Sequence, residues 1–262
     1  MHALAESCPF SPCLQRIFRF SHPRREGYSG LGHCRVSGGK GAGRGKCRIM
    51  MQNGFELPET KAGTAPRATP CFTPGTLITT QRGEVPVEMI SAGDRVVTRD
   101  NGIQSVRWVG KTQMFLHDFQ ADPHLLPVFI QQGSLGKGLP ERDMMVSPNH
   151  RVLVTNSRVS VRYSEREVLV AAKHLAAQGV HTVQSSGTTY IHFMCDRHEV
   201  VLSNGVWTET FHPDDTSLKG IGNAQRLEIL ELFPELKTSA GRATYGQSRR
   251  TITESEAAGL AF

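Results

Sequence analysis

The stretch CFTPGTLITTQRGEVPVEMISAGDRVVT, residues 71–98, decides how the rest of the chain is read. Thr76–Thr80 is rich in β-branched residues, which fit an extended, pleated backbone. Gln81-Arg82-Gly83 predicts a turn, because glycine tolerates the positive φ that other residues resist. Val85 and Val87 alternate with polar neighbours, the period of a half-buried strand. Arg95–Arg99 predicts another strand, closed by Asp100-Asn101-Gly102, and an Asn-Gly pair favours a tight hairpin. The pattern persists outward. Val106 and Trp108 alternate around Arg107, and Val152 and Val154 follow Asn149-His150. Val168-Leu169-Val170, Tyr190–Met194 and Val200–Leu202 read as further strands, and Asn204-Gly205 predicts a second hairpin leading into Val206-Trp207. Ala171–Ala177 allows one or two helical turns. Many short strands separated by close-spaced turns predict an all-β domain over 71–213.

The flanks differ. Asp214-Asp215-Thr216-Ser217 offers helix N-caps. Leu218, Ile221, Ala224 and Leu227 then recur at every third position, Leu230 and Phe233 continue the series, and Pro234 stops it. This predicts an amphipathic helix of about 16 residues, packed on the β body, within a C-terminal helical extension spanning 214–262. Residues 51–70 are rich in Pro, Thr and Ala and read as a linker. Residues 1–50 show neither helical nor strand periodicity and read as a disordered basic tail. Met50 and Met51 are candidate true starts, which would make 1–49 translated upstream sequence.

Charge confirms that the tail is unlike the body. The net charge of +6 is misleading as a whole, because residues 1–50 hold nine Lys/Arg and two acids. That leaves 21 of the 30 basic and 22 of the 24 acidic residues for the rest, a neutral body without the basic face that nucleic-acid binding needs. Four of the six cysteines, Cys8, Cys13, Cys34 and Cys47, also fall in the tail, at spacings that form neither a disulfide framework nor a zinc site. The Gly-rich run Gly38–Cys47 does not make a phosphate loop: Lys40 stands where a glycine is required, and Cys47 where Ser or Thr should hold magnesium. No apolar run approaches the roughly 20 residues that span a membrane. The N-terminus lacks a signal-peptide pattern, so the expected location is cytoplasmic or non-classically secreted. No cofactor is expected.

Cys71 stands where the linker meets the β domain. Its thiol can reach the carbonyl of Pro70 through a five-membered ring, an N-to-S acyl shift that turns a peptide bond into a thioester. In an ordinary peptide the amide is favoured, and a folded domain must promote the shift by protonating the departing amine. Taken alone, the residue reads better as a buried core cysteine, since free Cys packs as a small hydrophobe.

Its neighbours resemble the first conserved block of Hedgehog/intein (Hint) domains: a Cys, small residues, Gly75-Thr76, an aliphatic strand, a Gly turn, then Pro86-Val87-Glu88 and Gly93-Asp94-Arg95-Val96. A second block, Val146-Ser147-Pro148-Asn149-His150-Arg151-Val152, is similar to the family's Thr-x-x-His. The resemblance places Ser147 in the Thr position, orienting the scissile amide, and His150 in the His position, protonating its nitrogen. A third block, Asp196-Arg197-His198-Glu199-Val200 through Trp207-Thr208-Glu209, resembles the last intein blocks. It implies that Asp196 positions the nucleophile or takes its proton, and that His198 helps break the tetrahedral intermediate. A metal site of Cys195, His198 and His192 has no supporting ligand spacing.

The departures narrow the reaction. Inteins end in His-Asn, whereas Thr208-Glu209 stands there in this chain, which continues for 53 further residues. The resemblance, closest to bacterial-style Hint proteins with a trailing helical segment, thus implies a compact β fold that cleaves itself at Pro70–Cys71 without splicing. The N-terminal segment would be the substrate, and water or a thiol the acceptor. A catalytically silent Hint fold serving as a binding or export-associated module is the alternative. A Cys71–His150 hydrolase acting on other molecules is a third reading, without any recognisable specificity region.

Overall fold

The structure is a computed structural model and describes residues 69–155, 157–258 and Leu260. The basic tail over 1–50, the possible starts at Met50 and Met51, and the linker as far as residue 68 lie outside these residues. In chain order the strands are β1 (Leu77–Thr80), β2 (Gly83–Pro86), β3 (Arg95–Val97), β4 (Ile103–Ser105), β5 (Trp108–Phe115), β6 (Val128–Ile130), β7 (Met144–Val146), β8 (Arg151–Val154), β9 (Val168–Ala171), β10 (Val180–Thr182), β11 (Gly187–Met194), β12 (Val200–Ser203), β13 (Val206–Glu209) and β14 (Thr251–Ile252). The helices are α1 (Leu116–Ala121), α2 (Ser157–Tyr163), α3 (Asp215–Gly220), α4 (Asn223–Leu232), α5 (Ser239–Tyr245) and α6 (Glu254–Ala257). The predicted all-β character holds, with a C-terminal helix attached.

Turn chemistry sets the strand order. Asn204 and Gly205 both take positive φ (46° and 78°), so β12 runs directly back as β13. Gly83 at φ 103° does the same for β1 and β2. The largest sheet runs β14-β9-β8-β13-β12-β1-β3-β4, with β2 paired to β1. Two smaller sheets, β10-β6-β7 and β11-β5, complete the strands among the described residues. The main core gathers Ile78, Val96, Val152, Val170, Ile191, Phe193 and Val201. All four residues of β9 are buried, which explains its unbroken apolar run.

The segment entering the domain is held like a strand. Phe72 bridges both β7 and β11, at Val146 and Ile191. Its N–H donates to the Ile191 carbonyl at 2.7 Å, and the Ile191 N–H returns a bond to Phe72 at 2.9 Å. The Phe72 ring, 1% exposed, anchors the register, and Cys71 is thereby fixed between the end of β7 and the middle of β11.

The C-terminal extension is part of the packed body. Leu218, Ile221, Ile229, Phe233 and Leu236 form a second core with Trp108, Met194 and Phe211, and β14 joins β9 in parallel. At roughly 1.5–3 kcal/mol for each large apolar side chain buried, this is a substantial attachment. The expected helix of about 16 residues is instead two, because Ile221 and Gly222 are extended (ψ 160° and 152°) between α3 and α4. The periodicity explains the break. Steps of three residues on a helix turn back about 60° each, so three steps carry Leu227 to the opposite face from Leu218. Leu227 is accordingly 64% exposed. No helix among the described residues is long and apolar enough to cross a membrane.

Candidate active site

The last two positions of the expected linker, Thr69 and Pro70, are buried with Cys71. Ser147, just beyond β7, brackets this segment. The Cys71 N–H donates to Ser147 Oγ at 2.8 Å, and the Ser147 hydroxyl donates to the Thr69 carbonyl at 2.6 Å. The Ser147 N–H closes the bracket on the Cys71 carbonyl at 2.9 Å. One hydroxyl therefore holds the nitrogen of the Pro70–Cys71 bond and the Thr69 carbonyl one residue upstream of that bond's own carbonyl.

Around the thiol, Cys71 Sγ lies 3.3 Å from His192 Nδ1, from the Thr69 hydroxyl and from the Thr69 carbonyl. Burial pushes the Cys71 thiol up to about 12, although hydrogen bonds from Thr69 and Ser147 oppose this. Burial likewise holds His192 down to about 4, with Gln225 pulling it back upward. His192 stacks on Trp108 at a centroid distance of 5.2 Å and tilts against Phe211 at 5.1 Å. It is a candidate side chain that sequence reasoning missed, having been weighed only as a metal ligand. Its signal was a single polar residue inside the apolar run Tyr190–Met194. Among the described residues, no group of three His, Cys, Asp or Glu side chains is placed to hold a metal ion.

His150 is 1% exposed and tilts against Phe72 at 4.3 Å between ring centroids. Neither of its ring nitrogens has a hydrogen-bond partner among the described residues, and burial lowers it to about 4. His150 thus packs on the residue that follows Cys71, while Ser147 is the side chain that touches the Cys71 nitrogen.

His198 and Glu209 form a second buried group. Glu209, at 0% exposure, accepts from the Arg151 N–H at 3.0 Å and from Arg151 Nη1 at 2.8 Å. His198 Nε2 lies 3.3 Å from Glu209 Oε2, the same oxygen that takes the Arg151 Nη1 bond. The Ser248 N–H donates to His198 Nδ1 at 3.1 Å. That bond makes Nδ1 the acceptor, so the neutral ring carries its proton on Nε2, facing Glu209. Burial pushes the Glu209 carboxyl up, but Arg151 and His198 outweigh it and hold the group below its ordinary range. Sequence reasoning noted Glu209 only as the wrong residue for cyclisation; its place as a buried charge centre depends on strands β8 and β13 lying side by side.

Asp196 does not join either group. Its side chain is 57% exposed and pairs with Arg107 at 2.8 Å, in contrast to the nearly inaccessible Cys71. The Cys195 side chain belongs to the main apolar core. Two neighbours in sequence therefore face different environments, and the expected role for Asp196 at the nucleophile has no contact to support it.

A family model described as Hint domain matches residues 70–215, more than half of the chain. The chain belongs to the Hint domain family. Among solved structures, it is similar to the gp41-1 intein at 12% identity, with 53% of this chain and 97% of that one covered and a TM-score of 0.33. The bacterial intein-like domain from Clostridium thermocellum is 15% identical over 54% of this chain and 97% of that one, with a TM-score of 0.33. A DnaB intein from Synechocystis is 11% identical over 54% and 99%, with a TM-score of 0.32. No curated protein matches the chain.

Proposed function

We propose that this Hint domain cleaves its own chain at Pro70–Cys71 through a Cys71 thioester, and that it does not splice. The observation that carries this reading is the double hold on Cys71: Sγ at 3.3 Å from His192 Nδ1, and the amide N–H on Ser147 Oγ at 2.8 Å. In the first step Sγ bonds to the Pro70 carbonyl carbon and the thiol proton passes to His192. The carbon–nitrogen bond then breaks, and the Cys71 nitrogen leaves as an amine, taking up the proton that the His192 imidazolium gives back, while Ser147 Oγ holds its original N–H. Water or a thiol next takes the acyl group and restores the Cys71 thiol.

Transferring a proton from a thiol near 12 to an imidazole near 4 costs on the order of 10 kcal/mol if it precedes bond formation. Proton transfer is therefore concerted with attack, so that charge never develops fully on a buried sulfur. His150, which the resemblance makes the proton donor to the leaving nitrogen, packs on Phe72 instead and makes no hydrogen bond to Cys71, so no proton-transfer step is assigned to it. Splicing is left out because Thr208-Glu209 stands where the resemblance expects His-Asn, and Glu209 is bound to Arg151 and His198.

Intact mass of the purified chain, with and without hydroxylamine or dithiothreitol, tests the reading. The expected product is a fragment beginning at Cys71, formed faster with added nucleophile, and the Cys71→Ala chain stays whole. A wild-type chain that loses nothing under any nucleophile would overturn it. That result would favour a cleavage-silent binding module, a reading to which the deep burial of the thiol lends some support.

A further inference from the structure

His192 Nε2 and Gln225 Oε1 are both buried without a hydrogen-bond partner among the described residues. They come from different parts of the chain. His192 lies on β11 inside the family match, and Gln225 lies on α4 beyond its end at residue 215. The backbone places them together. Gly110 of β5 is the register partner of His192, and a Cβ built at Gly110 would fall 2.5 Å from His192 Nε2. The imidazole nitrogen therefore lies over the bare face of Gly110. The Gln225 amide sits over the next peptide, where its Nε2 donates to the Lys111 carbonyl at 2.8 Å.

That bond also fixes which way the amide points. A flipped amide would set its oxygen against the Lys111 carbonyl, so Nε2 must face Lys111 and Oε1 must face away. A second anchor holds α4 to the same strand, since Trp108 Nε1 donates to Glu228 at 3.0 Å. Gln225 is also the side chain that raises His192 against its burial.

We propose that Gln225 is a positioning residue for His192, accepting the Nε2 proton so that Nδ1 is left as the proton acceptor facing Cys71. The arrangement is nucleophile, base and orienter in a row, the order that activates weak nucleophiles elsewhere. It makes α4 a working part of the site, and it gives both orphaned atoms a partner in each other. The proposal rests on the self-cleavage reading for its effect on rate, but the tautomer it assigns to His192 is independent of that reading.

The test has two arms. In the first, single-turnover cleavage with dithiothreitol is followed from pH 5 to 9 for wild type, Gln225→Leu, Gln225→Asn and Gln225→Glu. Loss of a group that orients a histidine costs about 10- to 100-fold by analogy with histidines at metal sites. Gln225→Leu should fall by that factor and Gln225→Asn, too short to reach, should resemble it. Gln225→Glu should cleave, with the acid limb of its pH profile moved to higher pH because a carboxylate favours the imidazolium. A purely structural helix contact would not move that limb.

In the second arm, ¹⁵N-histidine spectra are recorded on the Cys71→Ala chain with and without Gln225→Leu, with His192 assigned by deletion. The expected result is an Nε2-protonated ring that loses this preference in Gln225→Leu. If Gln225→Leu, with an unchanged urea midpoint, keeps the ring signature and the cleavage rate of its parent, the proposal is overturned. If wild type never cleaves but the ring signature responds as expected, the positioning stands and the self-cleavage reading alone falls.

Discussion

Lowering the pH from 7 to 4.5 should unfold this domain far more readily than a surface-charge argument would suggest. His150 and His192 are buried as neutral rings and titrate near 4, against an ordinary value of 6.5. Below pH 6.5 the unfolded chain takes up both protons while the folded chain refuses them until about pH 4, so stability falls through that window and is unaffected above it. At about 1.4 kcal/mol per pH unit per group, the pair loses roughly 2.5 kcal/mol between pH 7 and 5.5, and about 5 kcal/mol by pH 4.5. His198, also lowered chiefly by burial, adds in the same direction. Domains hold only about 5–15 kcal/mol in total, so the loss is decisive. Urea unfolding of the Cys71→Ala chain at several pH values, followed by the fluorescence of Trp108 and Trp207, measures it. His150→Gln should remove close to half of the slope. Stability that stays level from pH 7 to 5 would refute the assignment of these rings as buried and neutral.

Three substitutions probe separate parts of the site. Glu209→Ala leaves the Arg151 guanidinium beside His198 without its counter-charge, and should cost about 3–5 kcal/mol in urea unfolding at pH 7.5; a cost below about 1 kcal/mol would deny the buried pair. Gly110→Ala sets a methyl 2.3 Å from the Trp108 ring and 2.5 Å from His192 Nε2. It should destabilise by about 1–3 kcal/mol and slow cleavage by tenfold or more, as displaced bases do, with unchanged kinetics counting against His192 as the base. Asp196→Asn should leave the cleavage rate as it is and change stability by less than about 0.5 kcal/mol, because its pair with Arg107 is solvent-exposed. A tenfold loss of rate there would restore the role that the sequence suggested.

Local signals carried most of the fold. β-Branched runs ended by Gln81-Arg82-Gly83 and Asn204-Gly205 became β1–β2 and β12–β13, because a tight turn and an alternating face are decided by neighbouring residues. The C-terminal helix was partly legible. Its apolar positions were visible, but a repeat of exactly three residues cannot stay on one face of a 3.6-residue helix. The break at Ile221-Gly222 therefore reflects which side chains could reach Trp108, Met194 and Phe211.

The site divides along the same line. From the sequence alone came Cys71 with its motif, Ser147 and His150, which lie in compact blocks whose residues are close in the chain. The sequence likewise showed Thr208-Glu209 where inteins carry His-Asn, the departure on which the proposal of cleavage without splicing rests. Only the tertiary structure decided what faces the thiol. Pairing of β5 with β11 brought His192 over Gly110, the docking of α4 brought Gln225 above the same strand, and the adjacency of β8 and β13 buried Glu209 against Arg151. Asp196, beside the buried Cys195, was left in solvent for the same reason. Contacts between residues far apart in the chain depend on how sheets and helices pack, and a linear motif holds no record of that packing.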